Sequence, residues 1–171
     1  RLMGASEGTA VGQVFGRVRI AGQVIWATRF SESTATSGGG KGAPTPKTTQ
    51  YSYAVSLAVA LCAGRITNVG RIWADGKPFE VPGAVWRVHT GTEDQLPYPH
   101  IEAKMGAGNA PAYRGTAYLV FEDLALEKFG NRIPQLSFEV IRPSPGAGAA
   151  EGLIRAVNII PSAGEFVYAT D

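Results

Sequence analysis

Between residues 51 and 61 large and small positions alternate without a break. Tyr51, Tyr53, Val55, Leu57, Val59 and Leu61 are bulky, and Ser52, Ala54, Ser56, Ala58 and Ala60 are small. Successive side chains of a strand point to opposite faces, so a period of two predicts a strand with a bulky core face and a small-residue face. A helix would spread those large residues around its circumference. The small face fits either the close approach of another sheet or subunit, or simple exposure to water. Shorter apolar stretches predict further strands at residues 14–20, 23–30, 66–74, 85–89, 116–121 and 136–141. In the last of these Leu136, Phe138 and Val140 face one way and Ser137 and Glu139 the other. Asp75-Gly76 follows an apolar run and predicts a tight hairpin turn, because both residues tolerate positive φ.

Helix signals are short. Residues 99–105 stop at Gly106, and residues 123–129 stop at Gly130 with Asp123 as the expected N-terminal cap. A third short helix is expected at residues 149–157. The fold class expected from this pattern is mainly β: an antiparallel barrel or sandwich with a few short helices. Glycine supplies 22 of 171 residues and proline 11, which cut the chain into short pieces as β-rich folds require. The run PSPGAG at residues 143–148 reads as a linker. It separates a β-rich domain, residues 1–142, from the start of a following unit or a C-terminal extension, residues 149–171. The opening RLMGASEG, without an initiator Met or a leader pattern, reads as a piece of a longer protein.

Charge changes this picture little. The net charge is +2, too small for a dedicated nucleic-acid binder, although residues 1–49 carry six basic and two acidic side chains. Hydrophobic residues make up 44% of the chain, enough for a proper core. No apolar run reaches the ~18 residues of a membrane helix. Cys62 is the one cysteine, so no disulfide forms within the chain, and its apolar neighbours predict a buried thiol.

The stretch SGGGKGAPTPKTTQ, residues 37–50, imitates a phosphate-binding loop, but the match fails. Gly42 follows Gly40-Lys41 where Ser or Thr is needed, Ala35 stands where the first glycine belongs, and a strand follows in place of a helix. Residues 31–50 therefore read as a long connection, mobile over residues 33–42 and stiffened by Pro44 and Pro46. Loops of this length are unusual unless functional, so it is a candidate partner-contact loop with Arg29, Lys41 and Lys47 as its charged handles. Metal ligands are sparse. His89 and His100 are eleven residues apart, Cys62 is remote from both, and neither H-x-x-x-H nor C-x-x-C occurs. His89 is expected to be structural and His100 exposed in its PYPH turn. The acidic pairs Glu93-Asp94 and Glu122-Asp123 are adjacent in sequence, whereas glycosidic cleavage needs carboxylates opposed across a cleft. Trp26, Trp73 and Trp86 form either a sugar-stacking platform or, as expected here, part of the core. No catalytic or cofactor-binding residue emerges, and the chain reads as a non-enzyme without a cofactor.

The words VFGRVRIAGQVIWATRF, YSYAVSLAVALCAGRITNVGRIWADGKPF and AYRGTAYLVFEDLALEKFGNRIPQLSFEVIRP, with the closing NIIPSAGEFVYATD, resemble the tail hub proteins of phages and gene transfer agents. The resemblance runs from about Gly12 to Asp171 in the family's order and departs from it at residues 31–49, which are longer and richer in Gly and Pro. It implies a tail-tube-like β-barrel in a trimeric hub at the tail tip or baseplate of a virion, made in the bacterial cytoplasm. Two such barrels per subunit give a pseudo-sixfold ring that continues the tail tube. The partners it implies are further copies of the full-length protein and the distal tail and tail tube proteins, with DNA passing through the channel without specific binding. It carries over no catalytic residue. The rival expectation is a carbohydrate-binding or cell-wall-degrading tail-tip module.

Overall fold

The computed structural model describes residues 10–37 and 48–142. The expected linker at residues 143–148, the expected helix at 149–157 and the unit from residue 149 lie outside the described residues. Among the described residues nine strands form two antiparallel sheets. The first holds β1 (Gly16–Ala21), β9 (Leu136–Arg142), β5 (Asn68–Ala74) and β6 (Lys77–Pro78), in that order. The second runs β2 (Gln23–Ala27), β4 (Thr48–Ala63), β8 (Thr116–Ala125) and β7 (Val85–His89), with β3 (Ser31–Ser37) also paired to β4. The expectation of a mainly β antiparallel fold holds, in its sandwich form. Each described sheet ends in open strands, so the barrel is not closed.

The alternation of β4 places the core. Val55, Leu57, Val59 and Leu61 join Leu119 and Phe121 of β8 and meet Val69, Ile72, Leu136, Phe138 and Val140 of the facing sheet. Within the chain, part of the small face of β4 is covered by a short helix, while Ser52 and Ala54 stay half-buried. Ala58, with Tyr118 and Val120 of β8, packs beneath Ile101 and Ala110 in a second cluster. Ile101 belongs to α1 (Pro99–Met105), whose end at Gly106 matches the expected boundary. Small residues on that face let the helix lie close to the sheet.

Two expected elements change. Residues 31–37 and 48–50 are not loop: β3 pairs with β4 in continuous register from Ser31↔Ala54 to Ser37↔Thr48. The Ser/Thr-rich composition hid this, because β-branched threonines suit an exposed strand although no apolar alternation marks it. The expected helix at 123–129 shrinks to a single 3-10 turn, Glu127–Phe129, closed by Gly130. Asp123 is not its cap but lies within β8 with φ 43°. The Asp75-Gly76 turn forms as expected, with φ of 51° and 81°, and joins β5 to β6.

Candidate functional site

A part-buried polar cluster lies where α1 crosses the outer face of β4 and β8. The β4–β8 register shifts between Val55 and Leu57, opposite Leu124 and Phe121. This bulge re-aims the Glu122-Asp123 pair. Ser56, fully buried, closes it: its Oγ accepts a hydrogen bond from the Asp123 backbone N–H (2.9 Å) and donates to Asp123 Oδ1 (3.0 Å). Thr28, just past β2, ties the same point down. Its N–H donates to the Ser56 carbonyl (2.8 Å), and its Oγ1 accepts from the Ser56 N–H (3.0 Å).

His100 and Glu122 complete the cluster. His100 Nε2 lies 3.0 Å from Ser56 Oγ and its Nδ1 is 3.8 Å from Glu122 Oε2. The Tyr98 hydroxyl donates to Glu122 Oε1, and Arg87 Nε approaches the same oxygen at 3.9 Å. His100 is thus packed between α1 and the sheet rather than exposed as expected. Its place at the start of a helix that buries Ile101 draws it inward. Burial, and then the bond to the Glu122 carboxylate, push the Tyr98 phenol above its ordinary range.

Ser56, His100 and Glu122 stand in the order of a nucleophile, a base and its orienting acid. The hydrogen bonds oppose that chemistry. Ser56 Oγ donates its single hydroxyl proton to Asp123 Oδ1. With that bond made, the serine has no hydroxyl proton left for His100 Nε2, 3.0 Å from its Oγ. Burial of Ser56 also leaves no approach for a substrate. The cluster is a strut that fastens α1 to the bulge.

Beside it lies an aromatic group. The His89 and Tyr118 rings stack at 4.3 Å, with Tyr98 4.9 Å from His89 and Tyr113 5.2 Å from Tyr118. Burial lowers the His89 pKa and pushes that of Tyr118 up to about 12. His89 is structural, as expected. Cys62 is buried in the main core, where burial raises its thiol pKa.

The other candidates are dispersed. Arg29 is exposed between β2 and β3, while Lys41 and Lys47 lie outside the described residues. Glu93 packs over Gly115, where an added Cβ would stand 2.8 Å from its Oε1, whereas Glu122 is held by Tyr98, Arg87 and His100. Of the tryptophans, only Trp26 packs against a core cluster, and none is fully buried as expected. Trp86 is 42% exposed and meets Phe79 edge-on, Trp26 is half-buried against the cluster beneath α1, and half-buried Trp73 lies under the Arg19 guanidinium. β7 pairs Trp86 with Phe121 of the main core face, while Trp26 pairs with Ala58 of the other face. The three rings therefore sit on separate surfaces and make no common platform. Sequence reasoning missed the Ser56–His100–Glu122–Asp123 strut. Its members are far apart in the chain, and the one local sign was a serine on the small face of β4.

Among the described residues no group of three or more His, Cys, Asp or Glu is placed to hold a metal, and no helix is long and apolar enough to cross a membrane. No protein-family model and no curated protein matches the chain. Among solved structures it is similar to a chain of the "Virion of native gene transfer agent (GTA) particle". The identity is 52%, the match covers 96% of this chain and 35% of that one, and the TM-score is 0.67. The chain thus spans about a third of the length of the solved chain that it matches.

Proposed function

We propose that this chain is a structural module of a phage-like particle, and that it belongs to the hub or baseplate at the tail tip. The observation that carries the reading is the 52% identity over 96% of the chain to a component of a gene transfer agent virion. In the full-length protein the module joins a homotrimeric ring that continues the tail tube, contacts the distal tail and tail tube proteins, and lets DNA pass without specific binding. Open strands favour an assembled state. β7 ends one described sheet, and β1 and β6 end the other. Exposed edges invite pairing with other chains, and a closed symmetric assembly removes that liability. The modest net charge of +2 suits a channel component, since a strongly basic wall would hold DNA by its phosphates. No catalytic role is proposed, because Ser56 of the strut is buried.

Immunogold electron microscopy with antibody against this chain, on particles from a producing culture, tests the reading. Gold confined to tail tips is the expected result. Unlabelled particles with accessible tips, beside a soluble cellular pool of antigen, overturn it.

A further inference from the structure

The outer face of the sheet that contains β1 holds an arginine that is held in place and, among the described residues, has no carboxylate. Arg19 stands directly across from Glu139 in the β1–β9 register. Opposite charges at facing positions normally pair. Here they do not. Glu139 Oε2 accepts the Arg71 backbone N–H (3.1 Å) at the β5 bulge, and Oε1 lies 3.8 Å from Arg17 Nη1. Gly70 makes this reach-back workable, since an added Cβ would stand 2.2 Å from Glu139 Oε2.

Arg19 turns the other way. Its Cζ lies 4.1 Å from the centroid of the Trp73 ring, and its Nε donates to Ser137 Oγ at 3.0 Å. Stacking and the Nε bond fix the plane of the guanidinium. Among the described residues no carboxylate pairs with it. Arg19 is exposed, with Arg17 two residues away on the same face of the edge strand. A fork held in advance loses little freedom on binding, and its geometry matches a carboxylate that accepts two parallel bonds.

We propose that Arg19, held by Trp73 and Ser137 and flanked by Arg17, is a docking point for an acidic side chain of a neighbouring protein. The proposal rests on the reading of the chain as a component of an assembled particle. Charge complementarity selects the partner: one preorganised fork beside a second arginine suits a carboxylate on an acidic protein surface. A nucleic-acid track would need a longer basic run, and Glu139 interrupts this one. Trp73 serves as the platform for Arg19, so its face is not free to stack a base.

The test uses the full-length protein in producing cells, with Arg19→Lys, Arg19→Ala and Trp73→Leu. Incorporation is read as antigen per purified particle. Binding of an oligo-glutamate peptide, and of a single-stranded oligonucleotide of equal charge, is measured on the purified proteins. Arg19→Lys keeps the charge and loses the fork, so it decides the matter if Arg19→Ala fails to fold. The expected result is unchanged thermal melting, at least a tenfold loss of incorporation for each Arg19 variant, and salt-sensitive oligo-glutamate binding that disappears with Arg19. Incorporation equal to wild type, or binding of the oligonucleotide in place of oligo-glutamate, overturns the proposal. If wild-type protein is missing from particles, the assembly reading falls by itself. Arg19-dependent oligo-glutamate binding would then still support the site, and its absence would overturn it.

Discussion

Single residues show how polar groups are used inside this sandwich. His89 is packed against Tyr118, and burial favours its neutral form, so its folded-state pKa lies below the ordinary value of 6.5. The contribution of the neutral ring is therefore fully present above 6.5. It begins to fall once the unfolded chain takes up a proton, and it is lost as pH drops through the depressed folded value. Thermal melts between about pH 7.5 and about pH 5.5 are expected to fall more steeply for wild type than for His89→Phe, which keeps the ring stack and removes the titration. Equal slopes would count against His89 as a source of the acid sensitivity. Ser56 illustrates the opposite solution, burial with every bond made. Ser56→Ala would leave the Asp123 N–H without its acceptor and His100 Nε2 without its partner, and denaturant unfolding is expected to show a loss of about 1–3 kcal/mol.

At the scale of elements, local rules were enough wherever turn chemistry or strict alternation was strong. The Asp75-Gly76 hairpin is the clearest example. Gly76 sits at φ 81°, and an added Cβ would meet nothing within 4 Å. Its requirement is conformational and not steric. Asp75 then stabilises the following chain, because Arg132 and the Gln135 N–H both bond its carboxylate and hold its pKa below the ordinary range. Gly76→Val is expected to cost about 1–2 kcal/mol in equilibrium unfolding through left-handed strain alone. A neutral result would mean that the turn relaxes to another type. By contrast β3 was illegible. Its residues Ser31–Ser37 lack an apolar face, and a strand of that kind is specified by its partner β4. The short helix at Asp123 was misread for a related reason: an aspartate at an expected helix start is also suited to a bulge with positive φ.

At the scale of the molecule, two cores have different standing. The main core joins both sheets, whereas the second fastens α1 to one sheet. Phe138→Ala is expected to cost about 3–5 kcal/mol and to lower hydrogen-exchange protection in both sheets together. Ile101→Ala is expected to lower protection across residues 98–113 while β8 and β9 keep theirs. If Ile101→Ala loosened both sheets equally, the division into two cores would be wrong. Residue pattern alone fixed the β class, most strands, and the bulky and small faces of β4. These are properties of period, turn chemistry and spacing, all of which act between near neighbours in the chain. It was folding in three dimensions that settled which surface α1 covers, that the tryptophans lie apart, and that Ser56, His100, Glu122 and Asp123 share one strut. The same is true of Arg19, which passes over Glu139 for Trp73. Those choices depend on packing between segments far apart in sequence, where several partners are chemically acceptable and the geometry of the sheets picks one.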